Sequence, residues 1–186
     1  MNAEAATLAV IDALEAVGVP YMLVGSFASN YYGIPRSTQD ADFVVELGGT
    51  PIRTVEERLG PEFHLDPQVA FETVTATTRY VVRVAGTGFR IEFFLLSEDE
   101  HDSARFGRRC RVTMLGRQVS LPTAEDVIIT KLRWSRGGAR AKDLDDARNV
   151  IAVQGARIDW DYVASWCDRH GTRDLLESIL SSIPKE

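Results

Sequence analysis

Two aspartates one residue apart, Asp40 and Asp42, open an apolar stretch that reads DADFVVEL. Along a β-strand, residues two apart point to the same face, so both carboxylates are expected on one side and Ala41 and Phe43 on the other. Two like charges at that separation disfavour each other's ionisation unless a cation lies between them. A hard divalent ion, most naturally Mg²⁺ shared with substrate phosphates, would remove this conflict. Two solvated acids at an exposed strand end are the alternative for an isolated D-x-D pattern.

A glycine and a serine precede this pair, at the end of the apolar run YMLV. The pattern predicts a strand, a turn at Gly25, and a short helix that is capped by Ser26 and stopped by Gly33. Glycine lets the backbone approach a ligand closely, and a helix start directs free N–H groups and a positive dipole end at an anion. The turn is neither a Walker loop nor a dinucleotide fingerprint. A serine that only caps its helix is compatible with the same pattern.

A third acid, Glu92, lies in the strand-like stretch FRIEFFLL. An acid among apolar neighbours needs a partner or a function. We predict that Glu92 joins the two aspartates as a metal ligand. The alternative is a structural ion pair with Arg90 or with Arg83 across a hairpin.

The order of these motifs resembles the DNA polymerase β nucleotidyltransferase superfamily, whose members have G-S, a helix, D-x-D on the next strand and a carboxylate on a later strand. The stretch VGSFASNYYGIPRSTQDADFVV most resembles the small bacterial AbiEii-type toxin and abortive-infection group, and so does LPTAEDVIITKLRWSRGGARAKDLDDARNVI. The resemblance covers most of residues 17–153. The superfamily more often has aspartate where this chain has Glu92, which is a departure from the pattern.

The resemblance implies a two-metal nucleotidyl transfer. Asp40, Asp42 and Glu92 would be the catalytic residues and the ligands of two Mg²⁺ ions, and Glu92 could accept the proton of an acceptor hydroxyl. Gly25 and Ser26 would hold the β- and γ-phosphates of a nucleoside triphosphate (NTP).

Three further residues are candidates for nucleotide binding: Arg36, Thr38 and Lys131. Arg36 could contact phosphate or could pin its loop by pairing with Asp40 or Glu46. Thr38 is expected to fix the turn before the acids. Lys131 would reach the triphosphate if the resemblance holds, and otherwise is a surface lysine.

The acceptor implied by the resemblance is a hydroxyl of RNA, such as a tRNA 3′ end, or of a protein, as in toxin-like enzymes with an antitoxin partner. The first alternative is an aminoglycoside- or lincosamide-type small-molecule nucleotidyltransferase. The second is a catalytically inactive module that binds nucleotide.

Patterning along the chain predicts an α+β fold. A polymerase β-type core with a small mixed sheet flanked by helices would span residues 1–121, followed by a helical region of residues 122–186 packed on the core. Strands are expected in YMLV, DADFVVEL, ETVTATT, RYVVRVA, FRIEFFLL, RRCRVTML and RQVSL, and helices in residues 3–17, 26–32, 51–59 and four later segments.

Charge and composition add weaker information. The net charge is −6, yet residues 105–142 carry ten Lys or Arg and two acids, so this basic window has a formal charge of +8 and the remaining chain −14. Such asymmetry favours an anionic acceptor, or marks a solvated face. No run is apolar and long enough for a membrane span, which makes a cytoplasmic location without membrane partners the expectation. Cys110 and Cys167 fit no metal or disulfide spacing.

Overall fold

The computed structural model describes residues 1–183, in which helices and strands alternate up to Leu121 and helices follow. The helices are α1 Ala3–Ala16, α2 Gly25–Tyr32, α3 Ile52–Glu56, α4 Glu100–Arg108, α5 Ala124–Trp134, α6 Ala141–Gln154, α7 Trp160–His170 and α8 Arg173–Ser182. The strands are β1 Tyr21–Val24, β2 Asp40–Val45, β3 Phe63–Leu65, β4 Ala70–Glu72, β5 Thr77–Val84, β6 Arg90–Leu95, β7 Cys110–Met114 and β8 Arg117–Leu121. The predicted α+β class is confirmed.

The main sheet has the order β1-β2-β6-β5, and the two short strands β3 and β4 both pair with the outer edge of β5. Strands β2 and β6 run parallel, and the other pairs are antiparallel, so the sheet is mixed as predicted. In register, Asp42 lies between Val24 of β1 and Glu92 of β6. The sheet therefore places the acid of β2 beside the acid of β6.

Strand β2 alternates as its sequence predicts. Ala41 and Phe43 are fully buried, whereas Asp40 and Asp42 are partly exposed. The ring of Phe43 lies 5.7 Å from the ring of Phe93, centroid to centroid, in the core beneath the sheet. Burial of the apolar face fixes the register of the strand, because a slip by one residue would place aspartates in the core.

The described chain divides into two compact units. The first contains Met1–Phe27 and Ser37–Leu121, and the second contains Ala28–Arg36 and the chain from Pro122 onward. Helix α2 therefore begins in the first unit and ends in the second. Inside the second unit the Tyr32 hydroxyl donates to the Pro122 carbonyl at 3.0 Å, which ties the short segment to the later helices. Domain limits at 1–121 and 122–186 remain a prediction from the sequence.

The structure corrects the sequence prediction in two places: one predicted strand is interrupted, and one helix was not predicted. The stretch ETVTATT is not a continuous strand, because the buried carboxylate of Glu72 accepts the backbone N–H groups of Val74 and Thr75 and closes a turn there. Helix α4 was not predicted, since its sequence is mostly charged. It forms because Asp99 caps its first turn and because Phe106 is buried.

Candidate active site

The turn between β1 and α2 is set by one close approach. Gly25 has φ +60°, a conformation that residues with a side chain rarely adopt. A Cβ atom at this position would lie 2.0 Å from Oδ2 of Asp42. The sequence suggested that this glycine admits a ligand to the backbone. The structure shows that it leaves space for the carboxylate of Asp42.

Ser26 lies in the first turn of α2, which starts one residue earlier than predicted. The residue is buried. Backbone N–H groups in the first turn of a helix have no partner within the helix and carry its positive dipole end. The start of α2 therefore lies next to Asp42, with Ser26 as its second residue and not as the cap that the sequence predicted.

Three predicted acids share one face of the sheet. Asp40 and Asp42 are two apart on β2, and Glu92 is the in-register neighbour of Asp42 on the parallel strand β6. Aligned residues of neighbouring strands point to the same side, and the strands lie about 4.8 Å apart. The structure therefore brings Asp40, Asp42 and Glu92 to one face, the acidic face, as the sequence predicted.

Asp40 is positioned by Thr38 and faces an arginine. The hydroxyl of Thr38 lies 2.9 Å from Oδ1 of Asp40 and 3.1 Å from its carbonyl oxygen. Nη2 of Arg90 lies 3.9 Å from Oδ2 of the same aspartate. Thr38 thus acts on the turn and on an acid side chain at once, which agrees with the expectation that it fixes the turn.

Glu92 is held by a residue that sequence reasoning missed. Its side chain is 11% exposed, and its Oε2 accepts a hydrogen bond from Nη1 of Arg79 at 2.9 Å. Neither predicted alternative is present, because Arg83 pairs with Asp66 and Arg90 lies against Asp40. Arg79 sits diagonally across the β5–β6 ladder from Glu92, a spacing that long side chains can bridge. The register of the β5–β6 hairpin, which the sequence does not specify, brings the two side chains together.

The donors on the acidic face suit a hard cation, but they are not assembled into a three-acid site. Carboxylate oxygens are the ligands that Mg²⁺ prefers, and Asp40 and Asp42 present them from one side of a partly exposed strand end. Within residues 1–183, no group of three or more His, Cys, Asp or Glu is placed to hold a metal ion. Asp40 and Asp42 therefore fit the predicted ion, whereas one carboxylate oxygen of Glu92 is occupied by Arg79.

Arg36 and Lys131 lie together in the second unit, on the carboxylate of Asp146. Nε and Nη2 of Arg36 each donate to Asp146 at 2.7 Å, and Nζ of Lys131 lies 2.7 Å from Asp146 and 3.0 Å from Asp143. Burial alone raises the pKa of Asp146, but the hydrogen bond from Arg36 and the charge of Lys131 outweigh it and hold the pKa below its ordinary value. We call these four residues the Asp146 cluster.

In the Asp146 cluster both predicted nucleotide-binding cations have carboxylate partners. Arg36 does not pair with Asp40 or Glu46, the partners that the sequence suggested for a structural role. Lys131 is not a surface lysine either, because it is 8% exposed. A pairing across 110 residues of chain has no signal in the sequence.

At least half of the basic residues in the basic window pair with acids of their own unit. At least five of its ten basic residues form ion pairs: Arg105 with Asp102, Arg111 with Glu15, Arg117 with Asp12, Lys131 with Asp143 and Asp146, and Arg140 with Asp143. The formal charge of +8 thus overstates the attraction that this segment offers to an anionic partner.

Comparisons with known proteins identify the fold. No protein-family model and no curated protein matches the sequence. The crystal structure of ANT(2″)-Ia in complex with adenylyl-2″-tobramycin is similar, with a TM-score of 0.63 and 14% identity over 91% of this chain and 97% of that chain.

Two further structures resemble the chain. A nucleotidyltransferase-like protein of Paracoccidioides brasiliensis gives a TM-score of 0.54 and 16% identity over 97% of this chain and 93% of its own. A predicted nucleotidyltransferase of Thermotoga maritima gives a TM-score of 0.51 and 16% identity over 72% of this chain and 84% of its own. The chain therefore has the mixed α+β fold of these nucleotidyltransferase structures. Across residues 1–183, no helix combines the length and apolar character that crossing a membrane requires.

Proposed function

We propose that the protein is a nucleotidyltransferase that moves a nucleoside monophosphate from an NTP to an acceptor hydroxyl. One observation carries the proposal: Asp40, Asp42 and Glu92 share one face of the sheet, directly beside the Gly25 turn and the start of α2. Acids alone would repel the triphosphate. Their position next to a helix start suits a cation that bridges the acids and the phosphates.

The reaction forms a bond between the acceptor oxygen and the α-phosphorus and breaks the bond from that phosphorus to the bridging oxygen of the β-phosphate. Pyrophosphate leaves with the electron pair of the broken bond. Glu92 accepts the proton of the acceptor hydroxyl once its carboxylate is free of Arg79. Gly25 and Ser26 hold the β- and γ-phosphates through the helix start.

Asp40 and Asp42, joined by Glu92, would hold two Mg²⁺ ions. When bound, these ions would stabilise the charge that develops on the attacking and leaving oxygens. Thr38 orients Asp40 through its hydroxyl. Arg36 and Lys131 remain proposed contacts of the triphosphate, which would have to compete with Asp146 for them.

The first acceptor candidate is a hydroxyl of RNA, such as a tRNA 3′ end, or of a protein. It goes with an AbiEii-type, toxin-like role in the cytoplasm, which an antitoxin protein would restrain. Its support is the motif order and the basic window. The argument from the basic window is weaker, because at least half of its basic residues already pair with acids of the protein.

A small cationic molecule is the second acceptor candidate, and two observations favour it. The basic window is partly neutralised, and a protein with the same fold, ANT(2″)-Ia, was crystallised with an adenylylated tobramycin. A catalytically inactive module is the remaining alternative. The engagement of Glu92 by Arg79 is the feature that agrees with it.

The test is a transfer assay with each α-labelled NTP, Mg²⁺, and either total RNA with cell protein or a set of aminoglycosides and lincosamides. The fraction that takes up label identifies the acceptor. Asp42→Asn should abolish transfer, whereas Asp66→Asn, which removes a surface acid paired with Arg83, should not. Mg²⁺-dependent NTP binding without pyrophosphate release would contradict the enzyme and support the inactive module.

A toxin-like role has its own readout. Expression of the wild-type protein should arrest growth of the host cell, and Asp42→Asn should not. Equal growth of the two strains would count against the toxin and the antitoxin partner while leaving the transfer reaction to the labelling assay.

A further inference from the structure

Arg79 is tied to the acidic face by one donor. Its Nη1 bonds Oε2 of Glu92, while its Nε is buried and has no hydrogen-bond partner among the described residues. The guanidinium also lies 5.9 Å from the ring centroid of Phe94, and the side chain is about one-third exposed. Bidentate Arg–carboxylate pairs are the strong ones, so this single contact is a comparatively weak link.

Glu92 nevertheless needs a positive partner. Its side chain is mostly buried, and a buried carboxylate without a compensating charge is costly. Arg79 supplies one positive charge at 2.9 Å, and on the neighbouring position of the face Arg90 lies near Asp40 at the longer distance of 3.9 Å. Two of the three acids on the acidic face thus have an arginine nearby as a counterion.

We propose that Arg79 competes with a divalent cation for Glu92, so that the third carboxylate joins the metal site only when the cation displaces the arginine. The inference rests on the proposed function, since it concerns the same three acids. Arg79 is a positioning residue here, because it acts through Glu92. The competition explains how the three acids can share a face without forming a three-acid cluster.

Calorimetric titration of the protein with Mn²⁺, without nucleotide, tests the competition. Arg79→Met removes the competitor, and we expect Mn²⁺ to bind about tenfold more tightly, a change of about 1.4 kcal/mol. Arg83→Met is the matched control, since it removes the same charge from the same strand but from a pair with Asp66. The tightening must exceed that of the control.

The Glu92→Gln background makes the test specific. If Arg79 acts through Glu92, Arg79→Met should give no tightening beyond the control once Glu92 is replaced. Equal Mn²⁺ affinities of Arg79→Met and Arg83→Met would overturn the inference, and so would a tightening that persists in the Glu92→Gln background. An absence of Mn²⁺ binding in all variants would overturn it as well.

A measurement on the wild-type protein guards against a variant that fails to fold. The Nε–H of Arg79 is buried, so its NMR signal should be observable, and addition of Mg²⁺ should shift it as the contact with Glu92 opens. An unchanged signal at saturating Mg²⁺ would overturn the inference. Labelled transfer by the wild type together with an unchanged signal would leave the proposed function standing and remove only the role of Arg79.

Discussion

The carboxylate of Asp42 lies where a side chain on Gly25 would be. A Cβ atom built on Gly25 falls 2.0 Å from Oδ2 and 2.9 Å from Cγ of Asp42. The two residues meet because Val24 is the ladder partner of Asp42, so the turn that follows β1 passes directly over the acid. The observed position of the Asp42 carboxylate therefore requires a glycine at residue 25.

Gly25→Ala should destabilise the protein and abolish nucleotidyl transfer. The positive φ costs about 1–2 kcal/mol for a residue with a side chain, and the clash displaces the carboxylate of Asp42 in addition. Gly18→Ala is the control, because Gly18 has φ +70° and nothing within 4 Å of its Cβ position. Urea denaturation should show a larger loss for Gly25→Ala than for Gly18→Ala. Equal losses with intact transfer would contradict the requirement.

Thr38→Val should lower kcat by about tenfold with little effect on folding. The change removes the hydroxyl that lies 2.9 Å from Oδ1 of Asp40, and a small misplacement of a reacting group is enough to cost such a factor. Thr38→Ser keeps the hydroxyl and should retain most of the rate. Steady-state transfer kinetics on the two variants make the comparison. A similar kcat for both would show that the hydroxyl does not position Asp40.

Lys131→Met should lower the free energy of unfolding by about 3–5 kcal/mol, because it leaves Asp143 and Asp146 buried with one positive partner fewer. Lys142→Met is the control, since Lys142 is exposed on the following helix. Denaturant titration of both variants measures the difference. If Lys131→Met is as stable as the control and only the affinity for NTP falls, the lysine serves the triphosphate and not the Asp146 cluster.

Acid should destabilise the wild-type protein partly through Asp146. Its pKa in the folded state lies below its value of about 3.9 in an unfolded chain, so the unfolded state binds more protons between these values. The stabilisation is present above about pH 4 and is lost as the pH falls through the folded pKa. Asp146→Asn should therefore flatten the decline of stability below about pH 4.

Asp145→Asn is the matched control for this pH dependence, because Asp145 is exposed and its ion pair is with Arg148, which lies outside the Asp146 cluster. Thermal unfolding across the pH range should show the wild-type decline in Asp145→Asn. A decline in Asp146→Asn as steep as in the wild type would show that the Asp146 cluster does not contribute.

The sequence predicts those parts of the structure that depend on local spacing. The alternation in DADFVV places Asp40 and Asp42 on one face, and a glycine between a strand and a helix places a turn at Gly25. Alternation along FRIEFFLL likewise turns the side chain of Glu92 away from its neighbours Ile91 and Phe93. What these features share is that each is fixed within a few residues of chain.

Contacts between distant segments could not be predicted. The pair of Arg79 with Glu92 depends on the register of a hairpin, which a Gly-Thr-Gly loop does not specify by itself. The pair of Arg36 with Asp146 depends on tertiary packing across 110 residues. Helix α4 was missed because its charged sequence has few apolar positions, and its stability comes from Phe106 and from a buried pair of Asp102 and Arg105.

The parallel pairing of β2 with β6 has a consequence for synthesis of the chain. Asp42 and Glu92 become neighbours only when β6 docks beside β2, and the residues between them include β5, which pairs with the other edge of β6. Such long-range pairing forms late, because the intervening loop must close first. A nascent polypeptide that has not yet emerged past Leu95, about half of the chain, would therefore lack the acidic face.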